Sequence, residues 1–411
     1  MGLFLTQRTS SIHRFFCGKE AMRLLRLPIL SALFMIGGIS FVGCDADSIP
    51  ASKGNSEEPT AQNTAKQAAS TVAPKGAGPV ENIDADERRQ AALLMPSLGT
   101  VQREIRLFRA EVRSRFEAED FAWLEKTART LRKGEPLFAN GSWKIYQFYE
   151  GMGDRFGRSE DQFLHDQRRF QNWRETMPES VTAKIAQGHF LTEYAWFARG
   201  SGYAHTVSFQ GHMVFRQRLG QARLLLMPLQ SEFVERQMPY DPFWGAVMLR
   251  IALGQGWKPD NYEELLTIIK ELSPRYWGYD VSRAYSLLPR WYGSSENDWV
   301  DYAGWAADQE NGLGDEGYAR VVTRMVGFYG SVFRETRADR ARTLRGLRIL
   351  LDKYPDSELI ASQAARLAVV GRDREMAKAL FERLGDTYIE GAWINPEQFV
   401  HFRTWAKTGK W

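Results

Sequence analysis

The chain has 411 residues, 44% of them hydrophobic and 25% charged, enough apolar matter for one large or two medium globular domains, which excludes a chain disordered throughout. Its formal charge is +4, but five of the 54 basic residues (Arg8, Arg14, Lys19, Arg23, Arg26) and one of the 50 acidic ones (Glu20) precede Cys44, leaving 49 of each. So balanced a body gives no electrostatic ground for a nucleic-acid partner, whose non-specific binding rests on clustered, uncompensated Lys and Arg.

Both cysteines, Cys17 and Cys44, lie in the first 44 residues, so the body beyond holds no disulfide, Cys-based zinc site or cysteine nucleophile. From Leu27 to Gly43 the chain carries no charge, directly after Arg23 and Arg26. Such a run is short for a bilayer-spanning helix, which takes about 20 apolar residues, and fits the apolar region of a signal peptide. Phe41-Val42-Gly43-Cys44 then resembles the lipobox of bacterial lipoproteins, with Phe41 where that motif usually has Leu and Gly43 as the small residue before the cysteine. The resemblance implies a signal peptide over 1–43, lipidation of Cys44, and a body anchored by lipid to a membrane of the bacterial envelope, facing the periplasm or the exterior. Translation from Met22 would give the same basic, apolar and cleavage parts in order and leave Cys17 outside the protein.

Residues 44–85 follow as the lipidated cysteine and a tether. Ser, Ala, Pro, Gly, Thr, Asn, Gln, Lys and Glu dominate them, and such a stretch cannot bury enough surface to offset its ordering entropy. As a coil it would reach roughly 35 Å.

From about residue 86 the apolar spacing is helical. Leu98, Val101, Ile105, Leu107, Phe108 and Val112 recur at helical intervals, as do Phe121, Leu124, Ala128 and Leu131. The same spacing predicts helices near 158–177, 181–199, 206–236, 242–254, 260–272, 279–288, 296–309, 315–333, 337–353, 358–370, 373–384 and 396–407. Alternating β-branched runs are missing, so little or no sheet is expected. The fold class is all-α, a solenoid-like array of helical hairpins, with a helical domain over 86–340 and repeats over 341–411. In those repeats Ala361, Ala364, Ala365 and Ala368 precede the turn Gly371-Arg372-Asp373 and the helix of Ala377, Leu380, Phe381 and Leu384. Small residues on facing helices with Gly and Pro punctuation resemble degenerate tetratricopeptide repeats.

Three blocks in the middle carry a second resemblance: Gly141-Ser142-Trp143-Lys144-Ile145-Tyr146, the stretch from Ala195 to Val207 with the helix after it, and Leu288-Pro289-Arg290-Trp291-Tyr292-Gly293-Ser294 with Gly314 to Arg320. They are similar to an uncharacterised bacterial helical family known only as a domain of unknown function, number four thousand and thirty-four. The similarity spans roughly residues 100–340, and it implies architecture without a reaction.

Candidate binding residues are His189, Glu193, Arg199, His205, Arg290 and Trp291. His189 and Glu193 stand one helical turn apart, as a ligand pair or an acid and base would; the alternative is a packing pair. Trp291 with Arg290 suits a platform for a sugar or peptide with a clamp for an anionic group, or else a wedge between hairpins with its indole N–H on loop carbonyls. The chain has no zincin pattern, no nucleophile elbow and no Walker loop. The expected function is therefore a lipid-anchored scaffold that binds an envelope protein or peptide, without catalysis, metal or cofactor. The competing expectation is an envelope hydrolase of cell-wall glycan or peptide using carboxylates such as Glu193 or Asp241. An open groove would favour the first, and a pocket gathering the candidate residues the second.

Overall fold

Side-chain caps start many of the helices. In a computed structural model, which describes residues 83–153, 160–200, 207–236 and 238–411, helix α1 (Ala85–Leu93) begins on Asp84, whose carboxylate accepts the N–H groups of Asp86 and Glu87. Helix α2 (Thr100–Glu117) buries Val101, Ile105, Val112 and Phe116, and α3 (Phe121–Gly134) buries Phe121, Leu124, Ala128 and Leu131. Cys44, Met22, the expected signal peptide, most of the expected tether and His205 lie outside the described residues.

The next helix, α4 (Lys144–Gly153), is absent from the sequence expectation. Ile145, Gln147, Phe148, Tyr149, Gly151, Met152 and Gly153 are all buried, so it meets neighbours on several sides and shows no one-faced period. Helices α5 (Glu160–Thr176) and α6 (Val181–Arg199) follow as expected. The predicted single helix over 206–236 is two, α7 (Phe209–Leu226) and α8 (Leu229–Val234), because Pro228 cannot donate to the ladder and crowds the preceding turn. Helices α9 (Pro242–Gly254) and α10 (Pro259–Leu272) each open on a proline, where the missing N–H costs nothing. Then come α11 (Gly278–Ser286), α12 (Asp298–Ala307) and α13 (Gly314–Met325). The stretch expected to be helical to 333 passes into a 3-10 turn (Val326–Phe328) and the short α14 (Val332–Glu335). Helices α15 (Arg340–Lys353), α16 (Glu358–Val370), α17 (Arg374–Leu384) and α18 (Pro396–Thr408) complete the chain.

The protein is all-α, an array in which consecutive helices pack on one another: α6 on α7, α9 on α10, α11 on α12, α12 on α13, and α15 to α18 in series. Sheet is confined to β1 (Pro96–Ser97) and β2 (Tyr388–Ile389) among the described residues, paired in parallel with Pro96 opposite Tyr388. No described helix is long and apolar enough to cross a membrane.

Two large apolar cores run through the array, one gathering residues from Val112 to Tyr279, the other from Ala284 to Ala406 together with Ala91. The alanines at 361, 364, 365 and 368 are all fully buried, and α16 packs on α15, α17 and α18. The two ends of the described array are joined. Helix α1 packs on α18, α2 touches α16, and β1 pairs with β2. His401 Nδ1 lies 3.1 Å from Glu87 Oε2, and Glu358 accepts from the backbone and hydroxyl of Thr100 at 3.1 and 3.0 Å.

Candidate binding site

Helix α6 touches α3, α4, α5, α7 and α9, which explains why its buried residues run almost unbroken from Thr182 to Ala195. Polar groups on so enclosed a helix need partners on the neighbours. His189 Nε2 lies 3.5 Å from Glu150 Oε1 of α4, and its ring meets Phe243 edge-on at 4.9 Å. Gly153 makes the room: a Cβ there would stand 2.6 Å from His189 Nε2. One turn on, Glu193 Oε1 forms an ion pair with Arg250 Nε of α9 at 2.8 Å. Glu193 and His189 thus each face a charged group from a different helix. The Glu150 carboxylate, and then burial, lift the Tyr146 phenol above its ordinary range.

Along the same helix an arginine and aromatic cluster follows. The Arg250 guanidinium lies 5.3 Å from the Trp196 ring. Trp196 meets Trp291 edge-to-face at 5.6 Å, and the Arg199 guanidinium completes a triangle with them, 5.6 Å from Trp196 and 5.2 Å from Trp291. Arg290 lies 5.4 Å from the Trp291 ring, and Tyr285 backs that ring at 6.1 Å. Burial, followed by the charge of Arg290, lowers the Arg199 pKa below the usual guanidinium value. Two cations are therefore held close enough to repel, on a scaffold of indole faces.

Four of the six candidate residues, Glu193, Arg199, Arg290 and Trp291, fall along this one string of contacts; His189, one turn before Glu193, faces Glu150 and Phe243 instead, and His205 lies outside the described residues. The wedge reading of Trp291 fits its position between Trp196 and Tyr285, with one correction. Its indole N–H finds no carbonyl acceptor among the described residues, nor does that of Trp196. Asp241 belongs elsewhere. It is fully buried, accepts from Arg132 Nε and the Tyr149 hydroxyl at 2.7 Å each, and caps α9 through the Phe243 N–H.

The sequence reading missed Glu150, Arg250 and Trp196. Arg250 had left a signal: it is the one charge in the apolar run from Pro242 to Gly254, and a lone cation in a buried helix implies a partner. Glu150 left none, because α4 was not recognised as a helix. Among the described residues no group of three or more His, Cys, Asp or Glu could hold a metal ion. Comparison with family models, curated proteins and solved structures finds no match for this chain.

Proposed function

We propose that the chain is a bacterial envelope lipoprotein, anchored through Cys44, whose helical array binds a protein or peptide partner without catalysis. The observation that carries this reading is the packing of Arg199 against the paired indoles of Trp196 and Trp291 with Arg290 alongside. The indole N–H groups of Trp196 and Trp291, buried without an acceptor among the described residues, gain from a carbonyl, so a peptide segment suits the cluster. The carboxylates named for the hydrolase are engaged otherwise, Asp241 in a buried cap and ion pair and Glu193 with Arg250, which weighs against that reading. The all-α array of consecutively packed helices accords with a scaffold.

A photo-crosslinking group at exposed Ser294, in the membrane-bound full chain, should capture a discrete envelope protein. Arg290→Glu should abolish that capture while the helical circular dichroism is retained, so that the loss is not one of folding. Capture indifferent to Arg290 would sink the cluster as the binding site. In parallel, Cys44→Ser should leave the protein unprocessed and unlabelled by a fatty-acid probe; labelling that persists would remove the anchor.

A further inference from the structure

Where the ends of the array meet, α2, the loop before α4, α4 itself, the residues leading into α11, α13 and α16 line a cavity of about 350 Å³. Three guanidinium groups border it, Arg106 and Arg109 from α2 and Arg320 from α13, with the amides of Gln147 and Gln363 and the indole of Trp277. Its size is that of a small-molecule site, and convergent polar groups on a preformed cavity are the usual mark of one.

Arg320 is the most constrained of the three. Its side chain is only 9% exposed, and its guanidinium lies 4.9 Å from the Trp277 ring and 5.5 Å from the Tyr354 ring. Nε donates to Glu316 Oε1 at 3.0 Å, and Nη2 lies 3.0 Å from the same carboxylate oxygen. Glu316 does not neutralise Arg320 alone, since its other oxygen accepts from Lys353 Nζ at 3.1 Å. One carboxylate there serves two cations.

Gly141 lets the loop close on this group. At φ 74°, a Cβ would run into Arg320 Nη2 and stand 2.7 Å from the Tyr354 ring, and the Gly141 carbonyl accepts from Trp277 Nε1 at 3.1 Å. Arg109 is aimed by Gln147, whose amide oxygen accepts from its Nε at 2.7 Å. The ion pairs of Arg109 with Glu150 and of Arg106 with Glu390 are long, 3.8 Å each. By contrast Arg113 grips Asp166 with two bonds of 2.8 and 2.7 Å.

Four cations, Arg106, Arg109, Arg320 and Lys353, share three carboxylates, Glu150, Glu316 and Glu390, two of them at long range, and with amides nearby this is chemistry for an anion that also carries hydroxyls. From this we infer that the cavity binds a small organic anion the size of one acidic sugar. Its carboxylate or phosphate sits on Arg320 and Arg109, and its hydroxyls on Gln147 and Gln363. The site shares no residue with the Arg199 and Trp291 cluster, so either can fail without the other.

Calorimetric titration of the full chain in detergent with glucuronate, glucose 6-phosphate, glucose and inorganic phosphate tests this. One site is expected for both acidic sugars, about tenfold or more tighter than for glucose or phosphate, the equivalent of one good charge-assisted contact. Arg320→Gln should weaken binding by at least about tenfold. Should that variant fail to fold, two others keep the test open. Gln363→Trp, at a half-buried position on the cavity wall, should abolish binding by filling the space. Arg106→Ala, whose parent side chain is 64% exposed, should weaken it severalfold. The inference is overturned if neither acidic sugar binds, if glucose or inorganic phosphate binds as tightly, or if Gln363→Trp and Arg106→Ala leave the affinity unchanged.

Discussion

Asp241 has no exposed surface, yet it holds together three elements: Arg132 of α3, Tyr149 of α4 and the first turn of α9. Arg132 in turn reaches Thr182 of α6 at 2.8 Å. Removing the charge of one partner in such a pair leaves the other buried without compensation, and that desolvation outweighs the loss of the attraction itself. Asp241→Asn should therefore cost about 3–5 kcal/mol in denaturant unfolding. Glu193→Gln is the milder case, because Glu193 and Arg250 keep 12% and 22% of their side chains in solvent; about 1 kcal/mol is expected. Zinc titration of the wild type and Glu193→Gln should show no tight site in either. Equal losses of stability for the two carboxylates would contradict the ranking by burial. Of this residue scale, the sequence made the pairing of His189 with Glu193 on one helix face legible. It did not reveal that each faces a charge from a different helix, because Glu150 and Arg250 are brought there only by tertiary packing.

At the scale of elements, α13 and α15 approach unusually closely. A Cβ at Gly346 would collide with the backbone oxygen of Asp315 and stand 2.7 Å from the Ala319 Cβ. A flexible side chain could move aside, whereas a helix backbone cannot without shifting the pair. Gly346→Ala should accordingly lose stability although alanine is the better helix former, by roughly 1–3 kcal/mol as in other overpacked cores. Thermal unfolding decides it: a raised melting temperature would mean that the two helices can separate at little cost. The same close packing is what the alanines of α16 permit, and there the spacing of small residues was visible in advance. Helix α4 was not, since burial on several faces erases the period that identifies an amphipathic helix.

For the molecule as a whole, the large number of enclosed tyrosines fixes the response to alkali. Burial pushes the phenols of Tyr149, Tyr262, Tyr276 and Tyr279 well above their ordinary value of 10.0. Above pH 10 the unfolded chain loses these protons while the folded chain keeps them, so stability falls as pH rises, by roughly 1.4 kcal/mol per tyrosine at pH 11. Arg366 acts in the opposite sense, its pKa lowered by burial to about 10, so its penalty eases as pH passes that value. One such group does not offset four phenols. Helicity followed from pH 9 to 11.5 should drop in step with the appearance of tyrosinate absorbance. Tyrosinate formed while the helices persist would show that these phenols are open to solvent.

What the sequence determined by itself is local. Among the described residues, apolar spacing set nearly all the helices, and prolines, glycines and side-chain caps set many of their ends. All of these depend on interactions within a few residues, or on what a segment lacks. Tertiary structure alone decided which groups meet. It joined α1 to α18 and β1 to β2 across some 300 residues, brought Trp291 from a remote segment onto Trp196 and Arg199, and formed the cavity around Arg320. Contacts between remote segments depend on how every intervening helix packs, and a single helix face does not encode them.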